Sequence, residues 1–136
     1  MTQPVYRLIS IAMMVVFGLV GVLFLFMSDV VIKFFNQISA LIDMEQVEPG
    51  RQHFFVVLAT AYMYVVALLG FLMYRHPKEA SFPLILMNAK LASAVISLFF
   101  FVTNTPLLIY LTNCVVDGAI GLLAIAMYSS AGRNSR

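Results

Sequence analysis

Four stretches of this chain are each long enough, and empty enough of charge, to cross the hydrocarbon of a bilayer. Residues 8–28 and 54–74 carry no charged side chain, 82–102 carry only Lys90, and 107–129 carry only Asp117. A helix needs about 20 apolar residues to span roughly 30 Å of hydrocarbon, so each stretch fits one crossing. In that medium every amide must be satisfied within its own segment or in a closed barrel. Barrel strands alternate polar and apolar residues, and the runs LFLF and SLFFF do not. The expectation is an all-α fold: a four-helix transmembrane bundle, antiparallel and up-down, in one integral membrane domain covering 1–136.

Composition agrees. The chain is 62% hydrophobic and 10% charged, where a soluble domain is about half apolar and a quarter charged. A net charge of +2 gives no reason to expect a nucleic-acid partner, since the basic residues mostly flank the apolar segments. The single cysteine, Cys114, has no internal disulfide partner and reads as a small packed apolar residue. The first segment follows a short basic region, MTQPVYR, but it is too long for a leader and ends without a small-x-small cleavage site. It reads as a retained span.

Lysine and arginine in short loops set orientation. With four spans, Arg7, Arg75, Lys78, Arg133 and Arg136 fall on one side. Lys33 and Arg51 fall on the other, in the loop 29–53, which also holds Asp29, Asp43, Glu45 and Glu48. Both termini are expected in the cytoplasm, in a bacterial inner membrane. Within that loop Val30, Val31, Phe34, Phe35 and Ile38 recur at helical spacing. Two readings stay open: a short helix lying in the interface, or the first span running on past the headgroups. The acidic stretch 43–48 with Pro49-Gly50 reads as a turn. The short connection 103–106 makes spans three and four a hairpin, with Pro106 in the first turn of span four and Asn104 or Thr105 as its cap. Tyr6, Tyr74, Tyr110 and Tyr128 fall near span ends, where amphipathic rings anchor.

Lys90 and Asp117 are the sharp feature, because a lone charge in hydrocarbon costs at least about 2.5–3.5 kcal/mol. Lys90 lies roughly 12 Å into span three and Asp117 roughly 18 Å into span four, both measured from the cytoplasmic side at 1.5 Å per residue. A lysine stem lying along its helix bridges the difference of about 6 Å, so an ion pair is feasible. The competing reading sends Lys90 to the headgroups and leaves Asp117 protonated. Ser93, Ala94 and Ser97 share the Lys90 face, and Asn113 and Gly121 share that of Asp117. Asn88 points about 200° away from Lys90 but belongs to the same polar set. On span one Ser10, Met14, Gly18, Gly21 and Leu25 form a stripe, and on span two Thr60, Tyr64, Ala67 and Phe71 form another. Such seams of small and polar residues either pack helices or line a cavity ending at the pair.

Other chemistry finds no residues to carry it. His53 and His76 sit at opposite ends of span two and none lies within a span, so neither a metal site nor a two-histidine haem is expected. Ser93 and Ser97 have no nearby histidine base, and no phosphate-cradling glycine loop or nucleophile elbow occurs. The glycine pairs 18/21 and 118/121 are not at the GxxxG spacing. No enzyme activity and no cofactor are expected.

Tyr6-Arg7-Leu8 opening the first span, Gly18 and Gly21 within it, and the tight last hairpin together resemble the layout of small four-helix bacterial membrane proteins of the DoxX-like type. That resemblance implies a four-helix membrane fold and, for some members, association with respiratory or redox complexes. The leading expectation is a non-catalytic subunit or accessory protein of a membrane complex, in contact with lipid and with other subunits or copies of itself. A small oligomeric proton-coupled transporter using Asp117 and Lys90 is the alternative.

Overall fold

The computed structural model describes residues 1–47, 53–104 and 106–133. Four helices follow one another: α1 Gln3–Leu41, α2 His53–Arg75, α3 Ser81–Thr103 and α4 Leu108–Arg133. All four are long and apolar enough to cross a membrane, and the fold is an all-α four-helix bundle. The expected Pro49-Gly50 turn, Glu48, Arg51, the Thr105 cap and Arg136 lie outside the described residues, as do the side chains of His53 and Arg133.

α1 continues past the expected span end near residue 28 to Leu41, in agreement with one of the two readings of 29–53. The loop therefore loses its first part to helix. The helix is broken once, at Met27 (φ −133°, ψ 30°), so the segment beyond it is a continuation set at a kink. Its Ile32 and Phe35 line a cavity together with Phe55, Phe100, Ile109 and Tyr110. Beyond α1 the chain turns at Asp43, whose φ of 58° is the left-handed region that aspartate tolerates better than most residues. Asn36 then clamps the strap, donating from Nδ2 to the Val47 carbonyl and accepting at Oδ1 from the Val47 amide, both at 2.9 Å.

Both termini lie at one end, tied by the Ser130 hydroxyl donating to the Met1 carbonyl at 3.0 Å. Pro4 stands near the start of α1 and Pro83 in the first turn of α3, where no intrahelical amide bond is lost, and Pro77 lies in the turn between α2 and α3. Asn104 closes α3, its amide bonding the Phe100 carbonyl, instead of capping α4. Pro106 precedes α4, which begins at Leu108.

α1 packs chiefly on α2 and α3 chiefly on α4, while the two pairs approach each other less closely. Small residues explain the close pairs. A β-carbon at Gly70 would lie 2.9 Å from the Ser10 carbonyl oxygen and the Met14 amide, and one at Gly118 would lie 3.8 Å from Ala94 Cβ. Large side chains fill the space between the pairs: Tyr6, Met13, Phe17, Val66, Leu69, Met73, Leu86 and Met127 form the core. Outside, Phe26 is 78% exposed and Val102 72%, a surface suited to lipid and not to water.

Candidate functional site

Lys90 is the largest fully buried side chain among the described residues. Its Nζ donates to Asp117 Oδ1 at 2.7 Å, with both side chains shielded from the surroundings. The ammonium lies 4.4 Å from the centre of the Phe17 ring and 4.7 Å from that of Tyr62. Each of the four helices therefore supplies one group: Phe17 from α1, Tyr62 from α2, Lys90 from α3 and Asp117 from α4. A desolvated cation over an aromatic face gains about 2 kcal/mol per ring, and the carboxylate supplies the countercharge. The cation is thus compensated without reaching the headgroups, and the snorkelling alternative does not hold.

The register of α3 on α4 explains how the pair forms. A β-carbon at Gly121 would meet Leu91, and one at Gly118 would meet Ala94. Asp117 is thus about five residues, roughly 7 Å at 1.5 Å per residue, beyond the level of Lys90. The stem lies along this seam and brings the ammonium to the carboxylate.

A second polar cluster continues the seam. Asn113 Nδ2 donates to Ser97 Oγ at 2.7 Å and to Ser93 Oγ at 3.1 Å, so the expected Ser93, Ser97 and Asn113 do converge. Asn88 does not join them. It is exposed, and its amide donates to the Leu84 carbonyl at 2.8 Å on its own helix. A backward bond of that kind satisfies the side chain without any partner helix. Ser97 also borders a cavity of about 550 Å³ with Ile96, Phe100, Leu107 and Tyr110. At the other end of the cluster, Asp117 Oδ2 is buried without a hydrogen-bond partner.

The inward faces of α1 and α2 differ from the stripes read in the sequence. On α2 the buried residues are Val66, Leu69, Gly70 and Met73, while Tyr64 is 67% exposed and Phe71 41%. Thr60, Tyr64 and Ala67 instead line a small cleft toward Gly18 and Gly21. On α1 the buried set is Tyr6, Ser10, Met13, Phe17 and Gly21, with Leu25 exposed. Sequence reasoning missed Phe17 and Tyr62. Tyr62 did carry a signal, because it is a phenol in mid-span, away from the headgroup level where tyrosines anchor.

The chain matches no protein-family model, no curated protein and no solved structure.

Proposed function

We propose that this protein is a non-catalytic subunit or accessory protein of a membrane complex, a four-span scaffold whose register is fixed by the Lys90–Asp117 pair. One observation carries the reading: all four helices close on a single ammonium, and two aromatic rings cover it beside its carboxylate. Apart from the Ser130–Met1 hydrogen bond at the terminal end, the contacts between the helix pairs are mainly large apolar side chains, which tolerate sliding. A buried charge that must find one partner does not, and buried polar groups serve as register devices in other proteins. The broad apolar exterior is then available to lipid and to neighbouring subunits. Arg7, Arg75 and Lys78 at the terminal end support a cytoplasmic position for both termini, and a bacterial inner membrane suits the layout.

Two measurements test this. Lys90→Met or Asp117→Leu alone leaves an uncompensated buried charge, expected to cost about 3–5 kcal/mol and most of the protein's abundance in membranes. The two substitutions together should restore it. Normal abundance of both single variants would refute the register role. Gentle extraction from native membranes followed by mass spectrometry should show a stoichiometric membrane partner, and a chain that purifies alone would overturn the subunit assignment.

A second reading, a small oligomeric proton-coupled transporter, draws on the unpartnered Asp117 Oδ2 and on the polar side chains leading from it to the cavity beside Ser97. The two readings part on Asp117→Asn. A transporter keeps its abundance and loses proton-linked uptake in vesicles, whereas a register device loses abundance.

A further inference from the structure

At the terminal end, far from the ion pair, the start of α1 and the α2–α3 turn border an open hollow of about 630 Å³ lined by Gln3, Arg7, His76, Pro77, Lys78, Glu79 and Phe82. Residues distant in sequence bring two permanent cations, Arg7 and Lys78, to one hollow, with the His76 ring between them in the chain. The one acid there is already engaged: Glu79 Oε1 accepts from the Ser81 hydroxyl at 2.7 Å and from the Ser81 amide at 3.3 Å. The Arg7 guanidinium also rests 5.9 Å from the centre of the Tyr74 ring, which limits its freedom to leave. Phe82 supplies an apolar wall, its ring 6.2 Å from that of His76.

Position narrows the ligand. α2 ends at Arg75 and α3 begins at Ser81, so the hollow sits where spans leave the hydrocarbon. Phe82, in the first turn of α3, lines the hollow, so an apolar side chain stands beside the cations at the level where acyl chains begin. Cations beside an apolar wall at this level match a phosphate ester carrying acyl chains, and basic pockets between spans on the cytoplasmic side are recognised sites for acidic headgroups. The size falls in the range of small-molecule sites, about 300–1,000 Å³.

We propose that this cavity binds the phosphate of an anionic phospholipid headgroup, with Arg7 and Lys78 supplying the charge and Phe82 the wall against which the glycerol rests. The site is independent of the Lys90–Asp117 pair. The test uses the full chain in a neutral, phosphate-free detergent, with lipid retention read by native mass spectrometry. Three probes are compared: phosphatidylglycerol, phosphatidylcholine and water-soluble glycerol phosphate. Phosphatidylglycerol should be retained about tenfold or more over phosphatidylcholine, as expected for two basic contacts. Arg7→Gln with Lys78→Gln should abolish that preference, and Lys33→Gln, at the opposite end of the bundle, should leave it intact. Saturable binding of glycerol phosphate with no added preference for the lipid supports the phosphate chemistry with a soluble source, while retention of the lipid alone supports the headgroup. Equal retention of both lipids by the wild-type chain, or an undiminished preference in the double variant, overturns the proposal. Should the double variant fail to fold, Lys78→Gln alone, an exposed turn residue, decides by the same preference.

Discussion

The half of the bundle nearest the chain termini and the half nearest the α1–α2 loop are built from equally apolar helices, yet they pack differently. Toward the termini Tyr6, Met13, Leu69, Met73, Leu86, Ala124 and Met127 are buried, and Gly70 lets α1 and α2 nearly touch. Toward the loop, cavities of about 550 Å³ and 130 Å³ lie between the helices, whereas the hollow of about 630 Å³ at the terminal end lies beside the α2–α3 turn and not within the spans. Where backbones come nearest, a glycine lies at the contact, Gly70 in the terminal half and Gly21 and Gly118 nearer the loop, while Phe35, Phe55, Phe100 and Tyr110 line the large loop-side cavity. Hydrophobicity alone gives no close packing inside a membrane, because lipid tails are as apolar as the side chains; fit decides. The Lys90–Asp117 pair lies at the boundary, with the close-packed half on one side and the Ser93–Asn113–Ser97 cluster leading to the open half on the other.

The largest effect expected from this contrast comes from truncating one side chain in each half. Met127 is fully buried, so Met127→Ala should cost about 2–5 kcal/mol, the usual range for emptying a packed site. Ile109 borders both loop-side cavities and has already forgone contacts on that side, so Ile109→Ala should cost about 1 kcal/mol. Denaturation midpoints in detergent measure both. Equal costs would show that the two halves do not differ in packing.

A smaller effect separates two glycines on the same helix pair. An added methyl at Gly70 meets backbone atoms of Ser10 and Met14 at 2.9 Å, and backbone cannot swing aside; at Gly18 it meets nothing within 4 Å. Gly70→Ala should therefore cost about 1–3 kcal/mol through overpacking. Gly18→Ala should be neutral or slightly stabilising, since alanine is the better helix former by about 0.8–1.0 kcal/mol. A neutral Gly70→Ala would mean that α1 and α2 are not in close contact there.

The same physics decides how much was legible in the sequence. The four spans were, because a charge-free run of that length in a chain this apolar has one good backbone solution. So was the meeting of Lys90, Asp117, Ser93, Ser97 and Asn113, since polar residues in apolar helices mark their own face. The inward side of α2 was not. With every side apolar, nothing in the helical period distinguishes the Val66–Met73 face from the Tyr64–Phe71 face, and only packing volume against α1 and α3 selects it. Phe17 stayed hidden for that reason, being one aromatic among several candidates on α1. Asn88 misled in the opposite direction, because a polar side chain that bonds its own helix at Leu84 carries no information about tertiary contacts. For 29–41 the helical spacing left a separate interfacial helix and a continued first span equally open, and the structure continues the helix through a kink at Met27.

The smallest expected effect contrasts the two ends by chemistry instead of volume. At the terminal end α3 begins at a carboxylate: Glu79 accepts from the Ser81 hydroxyl and amide, which holds its pKa below the usual glutamate range, the hydroxyl contributing most. At the loop end the Asn36–Val47 clamp is made by a neutral amide. A depressed pKa in the folded state means that the Glu79 contact is complete above the ordinary glutamate range and is lost as pH falls through the lowered value. The first-turn amides of α3 should therefore lose protection on acidification, once rates are corrected for intrinsic exchange, and the Val47 amide should not. Because Glu79 is fully exposed, screening keeps the change small, so exchange at individual amides is the suitable readout. Glu79→Gln should flatten the α3 response while leaving Val47 as it was. Acid sensitivity that survives in Glu79→Gln, or that appears equally at Val47, would place the titrating group elsewhere and remove this difference between the two ends.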